Sequence, residues 1–247
     1  MKYQDQLNTW KTIAFSLILA GIPPLLIVKE PDLSTTIATT MIFITLLFVA
    51  GLSYKIVAGV LALGVPTSII GIILILKHAL PLNEYQYKRI YSWLQPSKYA
   101  DDAYQQQNSI MAIGSGQLWG KGLNNTDATS VKNGNFIPEP QTDFIFAVAG
   151  EELGFIGTVI IIILLLFITI ECILIARKAK DTAGKMICCG YAALVAFRAW
   201  LTLGLQVGCF RIPVCRFPFV SYGLTSLLSL YIGVGLVLNV GLQPKKY

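Results

Sequence analysis

This sequence is short of charge and almost without histidine. Only 13% of its 247 residues are charged and 55% are hydrophobic, whereas a soluble domain carries about a quarter charged residues. An ordinary soluble globular domain is therefore excluded. Histidine occurs once, as His78, and no Cys/His cluster with metal-type spacing is present, which argues against a zinc-type centre. His78 follows Lys77 at a helix end and reads as an interfacial residue rather than a catalyst. Cysteine is sparse. Cys172, Cys188 and Cys189 fall in apolar runs as packing residues, and Cys209 and Cys215 fall in a short loop. Spacing alone does not fix a disulfide there, so two free thiols are expected. No small-residue cleavage site follows the first apolar run, so a retained helix is expected rather than a signal peptide. Internal repeats and low-complexity tracts are also lacking, and 1–247 reads as a single membrane domain.

What is abundant is long apolar runs near the ~20 residues that a bilayer-spanning helix needs. Six are expected, at 12–28, 36–52, 56–77, 153–176, 186–207 and 218–242. The fold class expected is all-α: a polytopic membrane protein of about six transmembrane helices with a long extracytoplasmic loop at 78–142. Gly21-Ile-Pro-Pro24 is expected to kink or break the first span. One side of the membrane receives Lys2, Lys11, Lys55, Arg177, Lys178, Lys180, Lys185, Lys245 and Lys246, against Lys29, Arg211 and Arg216 in the short loops opposite. Both termini are therefore expected in the cytoplasm. The net charge of +6 is mostly this asymmetry. Dispersed basic residues without a soluble domain exclude a nucleic-acid surface.

The long loop carries structure and chemistry. Tyr87, Ile90, Tyr91 and Leu94 share one helical face, as in an amphipathic helix lying in the outer interface against membrane lipids. The stretch 107–123 is too short and glycine-rich to span, and a re-entrant or surface-lying segment fits it. Where the loop meets the next apolar run, Glu139, Asp143, Glu151 and Glu152 are concentrated within fourteen positions. Carboxylates this close to a bilayer are costly. A proton acceptor, a cation ligand or a structural ion pair would each account for them. Asp143 also has the position of a cap for a helix beginning at Phe144. Spacing suggests that Asp143, Ala147 and Glu151 share a helix face.

Four stretches occur in order: Glu30-Pro-Asp-Leu-Ser34; Ser109-Ile-Met-Ala-Ile-Gly-Ser-Gly-Gln-Leu-Trp-Gly-Lys-Gly122; Pro138-Glu-Pro-Gln-Thr-Asp-Phe-Ile-Phe146 with Gly150-Glu-Glu-Leu-Gly154; and Phe217-Pro-Phe-Val-Ser-Tyr-Gly223. Together they resemble the SEDS family (shape, elongation, division and sporulation), which includes the RodA and FtsW proteins. The resemblance implies a glycosyltransferase of the bacterial cytoplasmic membrane that polymerises peptidoglycan glycan strands from lipid II beside a class B penicillin-binding protein. It implies Asp143 as the essential carboxylate. The chemistry suits it as general base toward a sugar hydroxyl, or as ligand of a divalent cation, Mg²⁺ or Mn²⁺, that offsets the pyrophosphate charge. Glu139, Thr142, Lys121 and Ser221 are the candidate substrate-binding residues. Lys121 would meet pyrophosphate or anchor its loop to lipid headgroups.

The chain departs from the family pattern in two ways. Family members have about ten spans, and these six correspond to the last six. An N-terminally truncated enzyme, or one completed by a separate N-terminal fragment as partner, is the expectation. Arg198 and Thr202 stand where the family has Gln and Asn, and Arg198 needs a polar partner, for which Glu171 is a candidate. Two other classes of function stay open: a lipid II flippase or transporter, and a catalytically silent membrane partner.

Overall fold

The computed structural model describes residues 10–29, 32–53, 59, 62, 100–123, 130, 134, 137, 139–209 and 215–243. Six helices lie within them: α1 (Trp10–Lys29), α2 (Leu33–Val49), α3 (Ala100–Ser115), α4 (Ile145–Lys178), α5 (Thr182–Gln206) and α6 (Leu224–Gly241). No strand occurs among the described residues, and the chain is an all-α polytopic membrane protein. Of the expected third span, 56–77, only residues 59 and 62 are described, and the interfacial helix at 84–94 lies outside the described residues.

Local chemistry starts and stops these helices. Asp32 caps α2 by accepting from the Thr35 N–H at 3.0 Å, and the Ser34 and Thr35 hydroxyls donate to the same carboxylate. Asp181 caps α5 through the Gly184 N–H at 3.1 Å. Helix α1 runs on through Pro23 and Pro24 instead of breaking there. Proline's fixed φ suits a helix, so what the pair removes is two N–H donors rather than the helical path.

Helix α4 is the unusual element. Its 34 residues would extend about 50 Å at 1.5 Å per residue, well beyond a bilayer core of about 30 Å. Gly154, at φ 69° and ψ −167°, breaks it. The part after Gly154 matches the expected fourth span, and the part before it, Ile145 to Leu153, is a separate short rod leading back to Asp143. The sixth helix starts at Leu224 rather than at 218, because Pro218 to Val220 form a turn. Helices α4, α5 and α6 are each long and apolar enough to cross a membrane, and α1 and α2 contain shorter apolar helices.

Helix α5 is central and packs against α2, α3, α4 and α6. Leu165, Cys172, Cys188, Tyr191, Val195, Leu230 and Val237 form the core between α4, α5 and α6. The Tyr191 hydroxyl reaches across to donate to the Leu230 carbonyl at 2.8 Å. A smaller core of Ala112, Ile137, Phe144 and Ala147 joins α3 to the start of α4. Phe146 meets Phe217 edge-on at 5.6 Å between ring centroids, which brings the segment before α6 to the same place.

Candidate functional site at the kink of the long helix

Three of the four motif stretches converge around the first part of α4. The glycine-rich stretch after α3 is stitched to the Gly154 break by backbone hydrogen bonds. Lys121 N–H donates to Glu151 O at 2.9 Å and Gly122 N–H to Glu152 O at 3.1 Å. Phe155 N–H donates to Gln117 O at 2.8 Å and Ile156 N–H to Leu118 O at 3.2 Å. The contact requires glycine at two points. A Cβ on Gly120 would collide with the Glu152 carbonyl, and one on Gly154 with the Gly120 amide. The 107–123 stretch is thus an α-helix as far as Ser115, followed by a turn clasped to α4.

The clasp is closed by an ion pair. Lys121 Nζ lies 2.7 Å from Glu151 Oε1, and the Ser130 hydroxyl donates to Glu151 Oε2 at 3.3 Å. Glu151 is 1% exposed. It is therefore not part of a solvated helix end, and Lys121 is engaged in holding the loop down. Ala147 and Glu151 do share the buried face of α4, but Asp143 precedes the helix and is not on that face.

Asp143 sits in the turn between Glu139 and α4. The Thr142 and Asp143 N–H groups both donate to the Glu139 carbonyl, at 3.2 and 3.3 Å, and the Thr142 hydroxyl donates to it at 3.1 Å. Asp143 does not cap α4: the cap position is Phe144, with no side-chain cap bond. The amide of Gln206, at the end of α5, occupies the space instead. Its Oε1 accepts from the Ala147 N–H at 2.8 Å and its Nε2 donates to the Asp143 carbonyl at 3.0 Å. Sequence reasoning missed Gln206. Its one signal is an amide side chain in the last turn of a mostly apolar helix.

The third stretch, 215–223, is tied on by the Tyr222 N–H, which donates to the Gln141 carbonyl at 3.0 Å. Ser221 is buried, and its oxygen accepts from the Phe217 N–H at 2.8 Å, so its hydroxyl is committed to its own turn. Arg216 is exposed and passes over Gly223, where a Cβ would lie 2.8 Å from Nη1. The Arg198 charge falls on Cys215, and among the described residues no ion pair joins it to Glu171. Cys209 and Cys215 are both free thiols. Arg211 lies outside the described residues.

Backbone strain gathers at this junction. The three non-glycine residues with positive φ among those described are Gln117 at 51°, Glu139 at 51° and Phe219 at 62°. One lies in each converging stretch. Such conformations cost of order 1–3 kcal/mol each and persist where the surroundings impose them, which is common at functional sites.

The electrostatics mark Asp143. Burial pushes its carboxyl above the ordinary carboxylate value. The Arg216 guanidinium and the Thr142 hydroxyl pull it back down, and the Glu139 carboxylate pushes it up again. A half-buried carboxylate with a cation and a second carboxylate near it can take up a proton or share a cation. Among the described residues, no three His, Cys, Asp or Glu side chains are grouped to hold a metal by themselves.

Comparison with known proteins gives one consistent result. The family model for cell cycle proteins of the FtsW, RodA and SpoVE type matches residues 2–246. The probable peptidoglycan glycosyltransferase FtsW of Haemophilus ducreyi is 32% identical over 250 residues, which cover 99% of this chain and 59% of that protein. The peptidoglycan glycosyltransferase MrdB of Escherichia coli K12 is 30% identical over 236 residues, covering 95% of this chain and 61% of MrdB. This chain thus spans less than two thirds of the length of either relative. A chain from a solved peptidoglycan synthase complex, one that coordinates polymerization and crosslinking, superposes with a TM-score of 0.72 at 23% identity. That match covers 97% of this chain and 64% of the solved one. At that identity the match speaks for the fold.

Proposed function

This chain belongs to the FtsW, RodA and SpoVE family of cell cycle proteins, and on that premise we propose that it polymerises peptidoglycan glycan strands from lipid II. One observation carries the reading: Asp143, in the turn that matches the family signature, is half-buried, is held above the ordinary carboxylate pKa and is not spent on capping α4.

In the proposed reaction a sugar hydroxyl of one lipid-linked saccharide attacks the anomeric carbon of another. The carbon–oxygen bond to pyrophosphate breaks, and the lipid pyrophosphate leaves with the bonding electrons. Asp143 accepts the hydroxyl proton. A raised pKa suits that task, because a general base works best when its pKa approaches the working pH. Arg216, exposed beside Asp143, supplies positive charge toward the departing pyrophosphate. Thr142 and Glu139 shape the turn, and Glu139 adds the second carboxylate. Lys121 and Ser221 act on the substrate only through the loops that they hold in place.

The same pair of carboxylates suits a divalent cation. Mg²⁺ binds through one or two carboxylates, water and substrate phosphates, so Asp143 and Glu139 are enough when the substrate completes the set. A cation held there would offset negative charge on the pyrophosphate.

Arg177 and Lys178 in the last turn of α4, with Lys180 and Lys185 next to them, support a cytoplasmic α4–α5 connection. Asp143 then faces outward across the bacterial cytoplasmic membrane, where glycan strands are assembled, and both termini face inward. A class B penicillin-binding protein is the proposed crosslinking partner.

The test is polymerisation of labelled lipid II by the purified chain with its penicillin-binding partner, in detergent and in vesicles. Asp143→Ala is expected to remove polymer altogether while leaving the folded yield unchanged. Polymer formed equally well by that variant would refute the assignment. Chelation with EDTA, followed by Mg²⁺ or Mn²⁺, tests the cation.

A further inference from the structure

Helix α4 has no cap of its own. Phe144 occupies the cap position without a side-chain bond, although an aspartate stands directly before it in the chain. The first N–H groups of a helix need acceptors, and Asp is among the best local suppliers of one. Left to local chemistry, the Asp143 carboxylate would turn onto the end of α4. Gln206 supplies the side-chain acceptor instead: its Oε1 takes the Ala147 N–H at 2.8 Å, a donor it shares with the Phe144 carbonyl at 2.9 Å, while its Nε2 donates to the Asp143 carbonyl at 3.0 Å. These two partners fix which end of the amide is oxygen, because only Oε1 can accept from an N–H.

Gln206 is itself held firmly. It is fully buried. Helix α3 adds donors to the last carbonyls of α5: Gln106 Nε2 donates to Leu205 O at 2.7 Å, beside the Gly208 N–H at 3.1 Å, and the Ser109 hydroxyl donates to Gln206 O at 3.3 Å. The backbone that carries the amide is therefore fastened to α3, and the amide reaches the Asp143 turn from a fixed origin.

We propose that Gln206 is a positioning residue which caps α4 in place of Asp143 and so keeps that carboxylate free for the reaction. This rests on the proposed glycosyl transfer for its functional consequence, whereas the clamp itself is a property of the turn.

The experiment compares Gln206→Leu and Gln206→Glu in the full chain, with lipid II as probe. Leucine neither accepts nor donates, so Asp143 is drawn onto the helix end. Gln206→Leu is expected to lower kcat at least tenfold with KM within threefold. In its protonated form the glutamate variant keeps one oxygen to accept and one O–H to donate. Its rate relative to the parent, measured at each pH, is expected to be near one at the acidic end and to fall as pH rises and the introduced carboxyl ionises. A second measurement does not need activity. In a Cys209→Ser background, Asp143→Cys is labelled with a charged methanethiosulfonate reagent, and adding Gln206→Leu is expected to change the rate at least threefold. Unchanged kcat in Gln206→Leu, or an unchanged labelling rate, overturns the proposal. So does a loss of kcat that merely follows the loss of folded protein. If Asp143→Ala still polymerises lipid II, the glycosyl-transfer reading fails by itself, and the labelling rate decides the clamp.

Discussion

Lys121 Nζ and Glu151 Oε1 meet at 2.7 Å across thirty positions of sequence, with the glutamate side chain 2% exposed and the lysine side chain 28% exposed. The pair fastens the glycine-rich turn to α4 beside the Gly154 break, and so fixes the short rod of α4 that leads to Asp143.

Breaking this pair from one side should be worse than removing both partners. Lys121→Met strands a buried carboxylate, at a cost of about 3 kcal/mol, the lower end of the range for a broken buried pair because the lysine is partly exposed. Lys121→Met with Glu151→Leu should recover much of that loss. Thermal unfolding in detergent measures both, and a double variant less stable than the single one would contradict the account.

The acid limb of the pH–rate profile should report Asp143. Its carboxyl, raised above 3.8, must lose its proton before acting as a base, so the rate rises with pH through that raised value. Arg216→Gln removes a charge that pulls the value down, and the limb moves to higher pH. Glu139→Gln removes a charge that pushes it up, and the limb moves to lower pH. Initial rates of lipid II polymerisation between pH 4 and 8 check the two opposite signs.

Two glycines should respond oppositely to alanine. Gly154→Ala puts a Cβ into the Gly120 amide at a φ of 69°, and should cost more than about 1 kcal/mol. Gly21→Ala, inside α1 with nothing within 4 Å of the added Cβ, should stabilise the helix by roughly 0.5–1 kcal/mol. Unfolding midpoints of the two variants decide it.

Asp32 should behave as a helix cap. Its carboxyl is lowered below 3.8: burial pushes it up, but the hydrogen bonds from Thr35 and Ser34 outweigh that. A depressed value means that its contribution is complete above 3.8 and disappears as pH falls through the lower folded value. Asp32→Ala should therefore cost about 1 kcal/mol at neutral pH, with the difference from the parent protein, read from unfolding midpoints, shrinking at strongly acidic pH.

Much of the architecture was legible locally. The apolar runs at 153–176 and 186–207 became α4 and α5, because run length and hydrophobicity are properties of a single segment. Asp143 stood out because a carboxylate beside an apolar run is costly wherever the run folds. Its use as a cap did not come true: Gln206, 63 residues away, took that role. Glu151 read as one of four costly carboxylates with a structural ion pair among its possible roles, since nothing in the sequence singles out Lys121 and Ser130 as the residues that cover it.

By itself the sequence determined the membrane class, the order of the apolar helices and membership of the family, because each depends on composition or wording within one stretch. Tertiary structure alone decided that the glycine-rich turn meets α4 at its kink while the Asp143 and Ser221 turns meet at its start, which side chain caps α4, and that Glu151 is buried with Lys121. Those outcomes depend on distances between stretches far apart in the chain. Hydrogen bonds and ion pairs of about 3 Å exist only once packing has set these distances.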